Sequence, residues 1–264
     1  MSEIKMKSVL FDIGGLSYEA HLGKGYDLSI PLLRTADQVN CFYAPPYRAE
    51  PVVAGDFIGS TQSGGPVNFF NLHLNPHGNG THTECVGHIA REAFAINDCL
   101  KTFHFTAELV SLYPRQRENG DKVVELEQFM ALFEARPLQT EALILRTLPN
   151  DRSKLHRSYS GTNPPYVSEE AMDYLVDAGI RHFLLDLPSV DREEDGGLLA
   201  AHKAFWRYPD TVIAGRLDCT ITELIYVDDE VPDGFYLLNL QIISLDLDAS
   251  PSKVMIYPCR QVLA

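Results

Sequence analysis

The segment from residue 73 to residue 88 constrains the fold of this chain more than any other part of the sequence. It reads HLNPHGNGTHTECVGH and contains Glu84 and four of the nine histidines, His73, His77, His82 and His88. Packing in an apolar core does not explain this clustering, because a buried histidine needs polar partners. Imidazole nitrogens and carboxylate oxygens are ligands for zinc, manganese and iron(II). We therefore expect a fold that brings these side chains together.

The spacing of these residues limits how they can converge. His82, Glu84 and His88 have the same parity, so an extended strand would direct all three to one side, whereas a helix from His82 would pair Glu84 with His88. His77 has the opposite parity and joins them only if Gly78-Asn79-Gly80 turns the chain, which glycines around an asparagine permit. Each geometry places Glu84 beside a histidine. His73 lies on a predicted strand among aromatic residues and is interpreted as structural.

The hydrophobic pattern predicts an α/β fold with a mixed sheet. Strands are predicted at 67–74, 141–147, 182–187, 211–214, 235–245 and 253–257. Helices are predicted at 124–136, from an N-cap at Ser168 to about residue 178, and at 198–206. Alternating strands and helices favour parallel pairing in the middle of the chain, and the helix-free end favours antiparallel strands. A length of 264 residues is compatible with one domain, 1–264.

Charge and cysteine content exclude several classes of function. Asp and Glu outnumber Lys and Arg by 36 to 22, which gives a formal net charge of −14 and repels nucleic-acid phosphates and anionic lipids. We therefore expect no nucleic-acid partner, and since long apolar runs are missing from the sequence, no membrane association. The five cysteines are widely spaced, without a C-x-x-C pair, and indicate neither a disulfide framework nor a zinc ribbon. A reducing cytoplasm fits this pattern best.

The histidine-rich segment resembles the signature of a known family, the cyclase or bacterial kynurenine formamidase family of metal-dependent hydrolases. That signature reads His-x-Gly-Thr-His-x-Asp-x-Pro-x-His. Gly80-Thr81-His82 matches its centre, Glu84 stands at its metal-binding aspartate, and His88 stands at the histidine that assists catalysis. Three positions differ: His77 lies one residue earlier than the signature requires, Glu84 replaces aspartate, and Val86 replaces proline.

The resemblance covers most of the chain. Tyr26-Asp27-Leu28-Ser29 looks like the Asp-Leu-Ser of the family, FLLDLPSVD at 183–191 is similar to its strand and Pro-Ser-x-Asp turn, and DASPSKVMIYP at 248–258 resembles its C-terminal strand. His202 and Glu223 occupy the places of its distal histidine and glutamate. The resemblance implies a mixed β-sheet core flanked by helices, of the swivelling β/β/α type.

The resemblance also implies a metal centre with one or two divalent ions, zinc or manganese. The implied ligands of the first ion are His77, His82 and Glu84. Those of a second ion are His202 and Glu223, with Glu84 as the candidate bridge.

Further roles are implied around these ligands. His88 would carry protons, for which the unperturbed histidine pKa of about 6.5 is suited. Three residues at a strand end would either hydrogen-bond to ligand histidines or cap a turn: Asp186, Ser189 and Asp191.

The implied reaction is hydrolysis of an amide, formamide, cyclic amide or lactone bond by metal-activated water, as in the arylformamidase conversion of N-formylkynurenine to kynurenine and formate. Two alternatives stay open. One is a hydrolase of a non-aromatic cyclic imide or lactone. The other is a non-catalytic relative that binds metal or another ligand, in keeping with the shifted His77 and with Glu84. We expect a small-molecule substrate, and the resemblance favours a homo-oligomer, specifically a dimer.

Overall fold

The computed structural model describes residues 8–13, 15–134 and 136–262, so both ends of the expected 1–264 domain lie outside the described residues. The first eight strands are β1 (Val9–Ile13), β2 (Leu16–Ala20), β3 (Tyr26–Asp27), β4 (Arg48–Pro51), β5 (Val53–Ala54), β6 (Phe57–Ile58), β7 (Phe70–His73) and β8 (His82–Glu84). The later strands are β9 (His104–Leu112), β10 (Arg115–Gln116), β11 (Lys122–Val124), β12 (Ala142–Thr147), β13 (Tyr166–Val167), β14 (His182–Leu185), β15 (Thr220–Glu223), β16 (Gly234–Ile242) and β17 (Ala249–Gln261). The helices are α1 (Ile96–Cys99), α2 (Leu126–Phe133), α3 (Glu169–Asp177) and α4 (Ala200–Trp206).

Seven strands close into a barrel-like core in the order β17-β16-β9-β12-β14-β15-β8. The strands from β9 to β15 in this order are parallel, and the others pair antiparallel. Strand β8 closes the ring, because one edge pairs with β15 and the other with β17. The predicted α/β fold with a mixed sheet is therefore confirmed.

Alternate residues of the central strands face two apolar regions. In β12, Leu143 and Leu145 pack with residues of α2, α3 and α4. Ala142 and Ile144 pack on the opposite face, in a cluster shared with β9, β16 and β17. Because both faces are buried, the strand reads as a continuous apolar run, which explains the agreement of the predicted strand 141–147 with β12.

The sequence prediction succeeds for elements with strong local signals. The helices predicted at 124–136, 168–178 and 198–206 correspond to α2, α3 and α4. The Ser168 hydroxyl accepts a hydrogen bond from the Ala171 N–H and so caps α3 as expected. Within the described residues, no helix has both the length and the apolar composition needed to cross a membrane.

The strand predicted at 211–214 is wrong. These residues form consecutive turns, in which Ala214 N donates to Asp210 O and Arg216 N donates to Thr211 O. Val212 and Ile213 are 64% and 88% exposed. β-branched residues favour strands only where a partner strand and a buried face are available, and here the edge of β14 is occupied by β15.

Truncation of Leu143 tests the importance of the region between sheet and helices. Leu143 is fully buried, so Leu143→Ala should lower the free energy of unfolding by about 2–5 kcal/mol through lost burial and a cavity. The control is Leu132→Ala on α2, because Leu132 is 39% exposed. Urea denaturation of both variants measures the difference, and equal destabilisation would contradict this description of the core.

Candidate metal centre

Strand pairing brings acidic and imidazole side chains from distant parts of the chain to β8. His82 lies opposite Glu223 in the antiparallel pair β8–β15. Glu84 lies opposite Ala249 of β17, and the Cys85 N–H donates to the carbonyl of Asp248 at 3.0 Å. The closure of the barrel therefore places residues 82, 84, 223 and 248 next to one another.

The turn predicted at Gly78-Asn79-Gly80 is present and returns His77 towards β8. Gly80 has φ 142°, a conformation that side-chain-bearing residues rarely adopt. The Asn79 side chain holds the turn, since its Oδ1 accepts from Asn75 N at 2.6 Å and its Nδ2 donates to Pro45 O at 2.9 Å. His77 is thereby able to contact Glu84 despite its opposite parity.

Three histidines surround the fully buried carboxylate of Glu84. Glu84 Oε1 lies 3.1 Å from His202 Nε2, and Glu84 Oε2 lies 3.1 Å from His77 Nδ1. His88 Nδ1 is 3.8 Å from Oε2. The chain reaches this geometry by following the extended β8 with a 3-10 turn over Val86–His88, which combines the two local geometries considered from the sequence.

The side chains of His82 and Glu223 face each other across the pair β8–β15. His82 Nδ1 lies 3.0 Å from the carbonyl oxygen of Gly80, so Nδ1 donates to this oxygen, and in the neutral ring the lone pair is on Nε2. That Nε2 lies 3.4 Å from Glu223 Oε2. The other oxygen, Glu223 Oε1, accepts from the Val190 N–H at 3.0 Å. With a neutral His82 ring, two acceptors therefore face each other without a hydrogen bond between them.

Two buried atoms of this cluster, His82 Nε2 and Glu84 Oε2, have no partner with hydrogen-bond geometry among the described residues, although His77 Nδ1 lies 3.1 Å from Glu84 Oε2. A buried polar atom left without a partner costs about 1–3 kcal/mol. The candidate ligand atoms of His77, His82 and Glu84 all lie within 4.8 Å of one another. This nitrogen and oxygen donor set fits zinc or manganese, and a shared cation would satisfy both atoms.

Two aspartates orient histidines of the cluster. Asp191 accepts a hydrogen bond from His202 Nδ1 at 2.5 Å and another from the Ala201 N–H at 2.8 Å, which directs His202 Nε2 to Glu84. Asp248 lies 2.8 Å from His77 Nε2 through its Oδ2. Asp248 was missed by the sequence prediction, although it begins the stretch 248–258 that resembles the family strand.

The negative charge of the cluster stabilises protonated imidazoles. Burial lowers the pKa of His77, but the neighbouring carboxylates of Asp248 and Glu84 outweigh it and raise that pKa to about 10. Burial likewise disfavours charged His202, but Asp191 and Glu84 raise its pKa to about 10. The surrounding histidines hold the pKa of Glu84 well below its ordinary value despite burial. Protons and cations thus compete for the same lone pairs.

Asp186 and Ser189 do not contact these histidines. Asp186 Oδ2 lies 2.7 Å from Lys154 Nζ, and Asp186 Oδ1 accepts from the Thr147 hydroxyl at 2.7 Å. Ser189 Oγ accepts from the Asp191 N–H at 3.1 Å and caps a turn. Of the three residues predicted at this strand end, Asp191 alone contacts a candidate ligand. The oxygens of Asp186 are instead held by Thr147 and by buried Lys154.

His73 lies apart from these contacts, on the two-stranded ribbon β4–β7. Its Nε2 is 3.8 Å from Glu50 Oε2, and both side chains are about half exposed. This geometry agrees with the structural interpretation of His73.

Comparison with known proteins places the chain among cyclase-like proteins. Residues 26–192 match the model of the family described as "Putative cyclase". A kynurenine formamidase from Bacillus mycoides is 26% identical over 200 residues, which cover 75% of this chain and 84% of the relative.

Solved structures share the fold. Isatin hydrolase A from Ralstonia solanacearum has a TM-score of 0.64 at 16% identity and covers 89% of this chain and 91% of its own. A predicted metal-dependent hydrolase from Bacillus stearothermophilus has a TM-score of 0.58 at 18% identity, with coverages of 89% and 98%. At these identities the likeness is evidence for the fold alone.

Substitution of Lys154 tests whether Asp186 contributes to stability or to metal binding. Lys154→Met leaves Asp186 buried without its counter-charge, which should cost about 3–5 kcal/mol of unfolding free energy. The control, Lys253→Met, removes a lysine from an exposed ion pair with Asp27 and should cost at most about 1 kcal/mol. Denaturation and elemental analysis measure stability and bound metal. Loss of metal from Lys154→Met without loss of stability would assign Asp186 to the centre instead.

Proposed function

We propose, since this chain belongs to the family described as "Putative cyclase", that it is a metal-dependent hydrolase that cleaves a carbon–nitrogen bond. The observation that carries this proposal is that two buried atoms, His82 Nε2 and Glu84 Oε2, make no hydrogen bond among the described residues. They lie in a cluster of imidazoles and carboxylates whose chemistry suits a divalent cation. The kynurenine formamidase relative supports the same class of reaction.

The proposed ligands are those that the family resemblance implies, and the contacts of Glu84 support them. His77, His82 and Glu84 would hold a first zinc or manganese ion. His202 and Glu223, whose Oε1 lies 3.9 Å from His202 Nε2, would complete a second site. Glu84 lies between the two sites, since its Oε1 faces His202 and its Oε2 faces His77. When bound, such cations polarise a substrate carbonyl and lower the pKa of water. Because the Glu84 carboxylate is fully buried, bulk water screens its interactions only weakly.

His88 is the proposed proton carrier. Its side chain is 31% exposed, whereas His82 and His202 are 0% and 2% exposed, so His88 can exchange protons with substrate and solvent. Its Nδ1 is 3.5 Å from Asp248 Oδ2 and 3.8 Å from Glu84 Oε2. An imidazole in this position can accept a proton from water and deliver it to the departing nitrogen.

The proposed substrate is a small aromatic formamide of the N-formylkynurenine type, converted to the free amine and formate. Support for it comes from the kynurenine formamidase relative, which aligns with 75% of this chain. A non-aromatic cyclic imide or lactone is the alternative substrate class, since the same chemistry opens such rings. Relative kcat/KM values for N-formylkynurenine and for a panel of imides and lactones distinguish the two.

Metal removal tests the proposal directly. Protein purified without a histidine tag should contain zinc or manganese by elemental analysis and should hydrolyse one member of the substrate panel. Chelation should abolish hydrolysis, and addition of the same metal should restore it. Bound metal without hydrolysis of any panel member would instead identify a non-catalytic metal-binding protein.

Substitutions separate metal binding from proton transfer. His82→Ala should lower bound metal and abolish turnover, because it removes a buried ligand. His88→Ala should lower kcat by about 10²–10⁴-fold with nearly unchanged metal content. His73→Ala is the control, since His73 lies on the separate β4–β7 ribbon. Equal loss of metal in the His82 and His88 variants would refute this division of roles.

A further inference from the structure

Asp248 is held beside the metal centre by the backbone. It directly precedes Ala249, which pairs with Glu84 across β8 and β17. Its carbonyl accepts from the Cys85 N–H at 3.0 Å, and the next carbonyl upstream, that of Leu247, accepts from Ile96 N at 2.7 Å. The position of the Asp248 side chain relative to Glu84 is therefore set by main-chain hydrogen bonds on both sides.

One oxygen of Asp248 contacts two histidines. Asp248 Oδ2 lies 2.8 Å from His77 Nε2 and 3.5 Å from His88 Nδ1. The two rings lie against each other, with centroids 4.3 Å apart. An imidazole has only two nitrogens, so the contact of Asp248 with His77 Nε2 leaves Nδ1 for Glu84, 3.1 Å away. A ring rotated by half a turn would lose both contacts.

We propose that Asp248 is a positioning residue that orients His77, so that His77 Nδ1 is presented to the cation shared with Glu84. The inference rests on the proposed function, because it assumes that His77 is a ligand. Carboxylates that accept from the second nitrogen of a ligand histidine fix its orientation and raise its basicity. Asp191 has the same relation to His202, through a contact of 2.5 Å.

The contact differs from an ordinary surface ion pair. In the exposed pair of His73 and Glu50, one histidine nitrogen lies 3.8 Å from the carboxylate, and the further contact of Glu50 is with Arg48. His77, by contrast, is held between two carboxylates, and one of these belongs to fully buried Glu84. Loss of Asp248 should therefore change the direction in which His77 Nδ1, the proposed metal-binding atom, points, in addition to removing a charge.

Zinc titration of the metal-free full-length protein, in competition with a chromophoric chelator, tests the inference without using activity. Asp248→Ala should weaken zinc binding by about 10–100-fold with an unchanged number of bound ions. Asp246→Ala, at an exposed aspartate two residues away, should bind zinc like the wild type. Thermal unfolding of the metal-free variants checks that both are folded. If Asp248→Ala does not fold, Asp248→Asn takes its place. Its amide oxygen can still accept from His77 Nε2, but the charge that raises the basicity of the ring is gone, so this variant should bind zinc more weakly than the wild type.

A double-mutant cycle shows whether Asp248 acts through His77. Once His77 is replaced by alanine, further removal of Asp248 should not weaken zinc binding more, because the ring that Asp248 orients is gone. Additive losses would indicate a general structural role and would overturn the inference. A reduced number of bound ions in Asp248→Ala would make Asp248 itself a ligand and would also overturn it.

Different results would refute the proposed metal-dependent function and the positioning role of Asp248. If the wild-type protein binds no zinc or manganese, the proposed function fails together with the inference. If the wild type binds metal and Asp248→Ala binds it equally well, the positioning role is wrong and the metal-dependent hydrolase is unaffected.

Discussion

The buried carboxylate of Glu84 is the constraint on which the rest of this structure depends. A carboxylate with no exposure to solvent is costly unless donors or cations surround it. Three histidines approach it, two of them at 3.1 Å. They come from the turn before β8, the 3-10 turn after β8 and helix α4. The fold therefore needs β8 in one register, because a shift by one residue would direct Glu84 to the opposite face.

The strand pairs that close the barrel also position the charged side chains of the cluster. Strand β8 has three residues and little stability alone, yet both its edges are paired. The pair with β15 places His82 opposite Glu223, and the pair with β17 places Asp248 beside Cys85. Three of the histidines then have one nitrogen committed to a fixed acceptor: Gly80 O for His82, Asp191 for His202 and Asp248 for His77. The remaining nitrogens converge on the two glutamates.

Local signals in the sequence predicted much of the secondary structure. The cap at Ser168, the amphipathic pattern of α2 and the apolar run of β12 depend on residues close in sequence, and each element forms where it was predicted. The predictions that failed depend on contacts between residues far apart in the sequence. Residues 211–214 have the composition of a strand but form turns, because the edge of β14 is taken by β15. Ser189 and Asp186 share a strand end with Asp191, but Lys154 approaches only Asp186.

The sequence alone determined which candidate ligands lie close together in the chain. His77, His82, Glu84 and His88 lie within twelve residues, and the glycine turn and strand parity allow them to converge. The family resemblance named His202, Glu223 and Asp191, but only the tertiary structure decided which of their atoms meet Glu84 and His82 and added Asp248 to the cluster. Glu223, Asp191 and Asp248 come from residues far along the chain, and spacing along one strand does not reveal which strand pairs with it. Strand register and helix packing are set by burial summed over the whole barrel, so the partners of Glu84 emerge only when the ring closes.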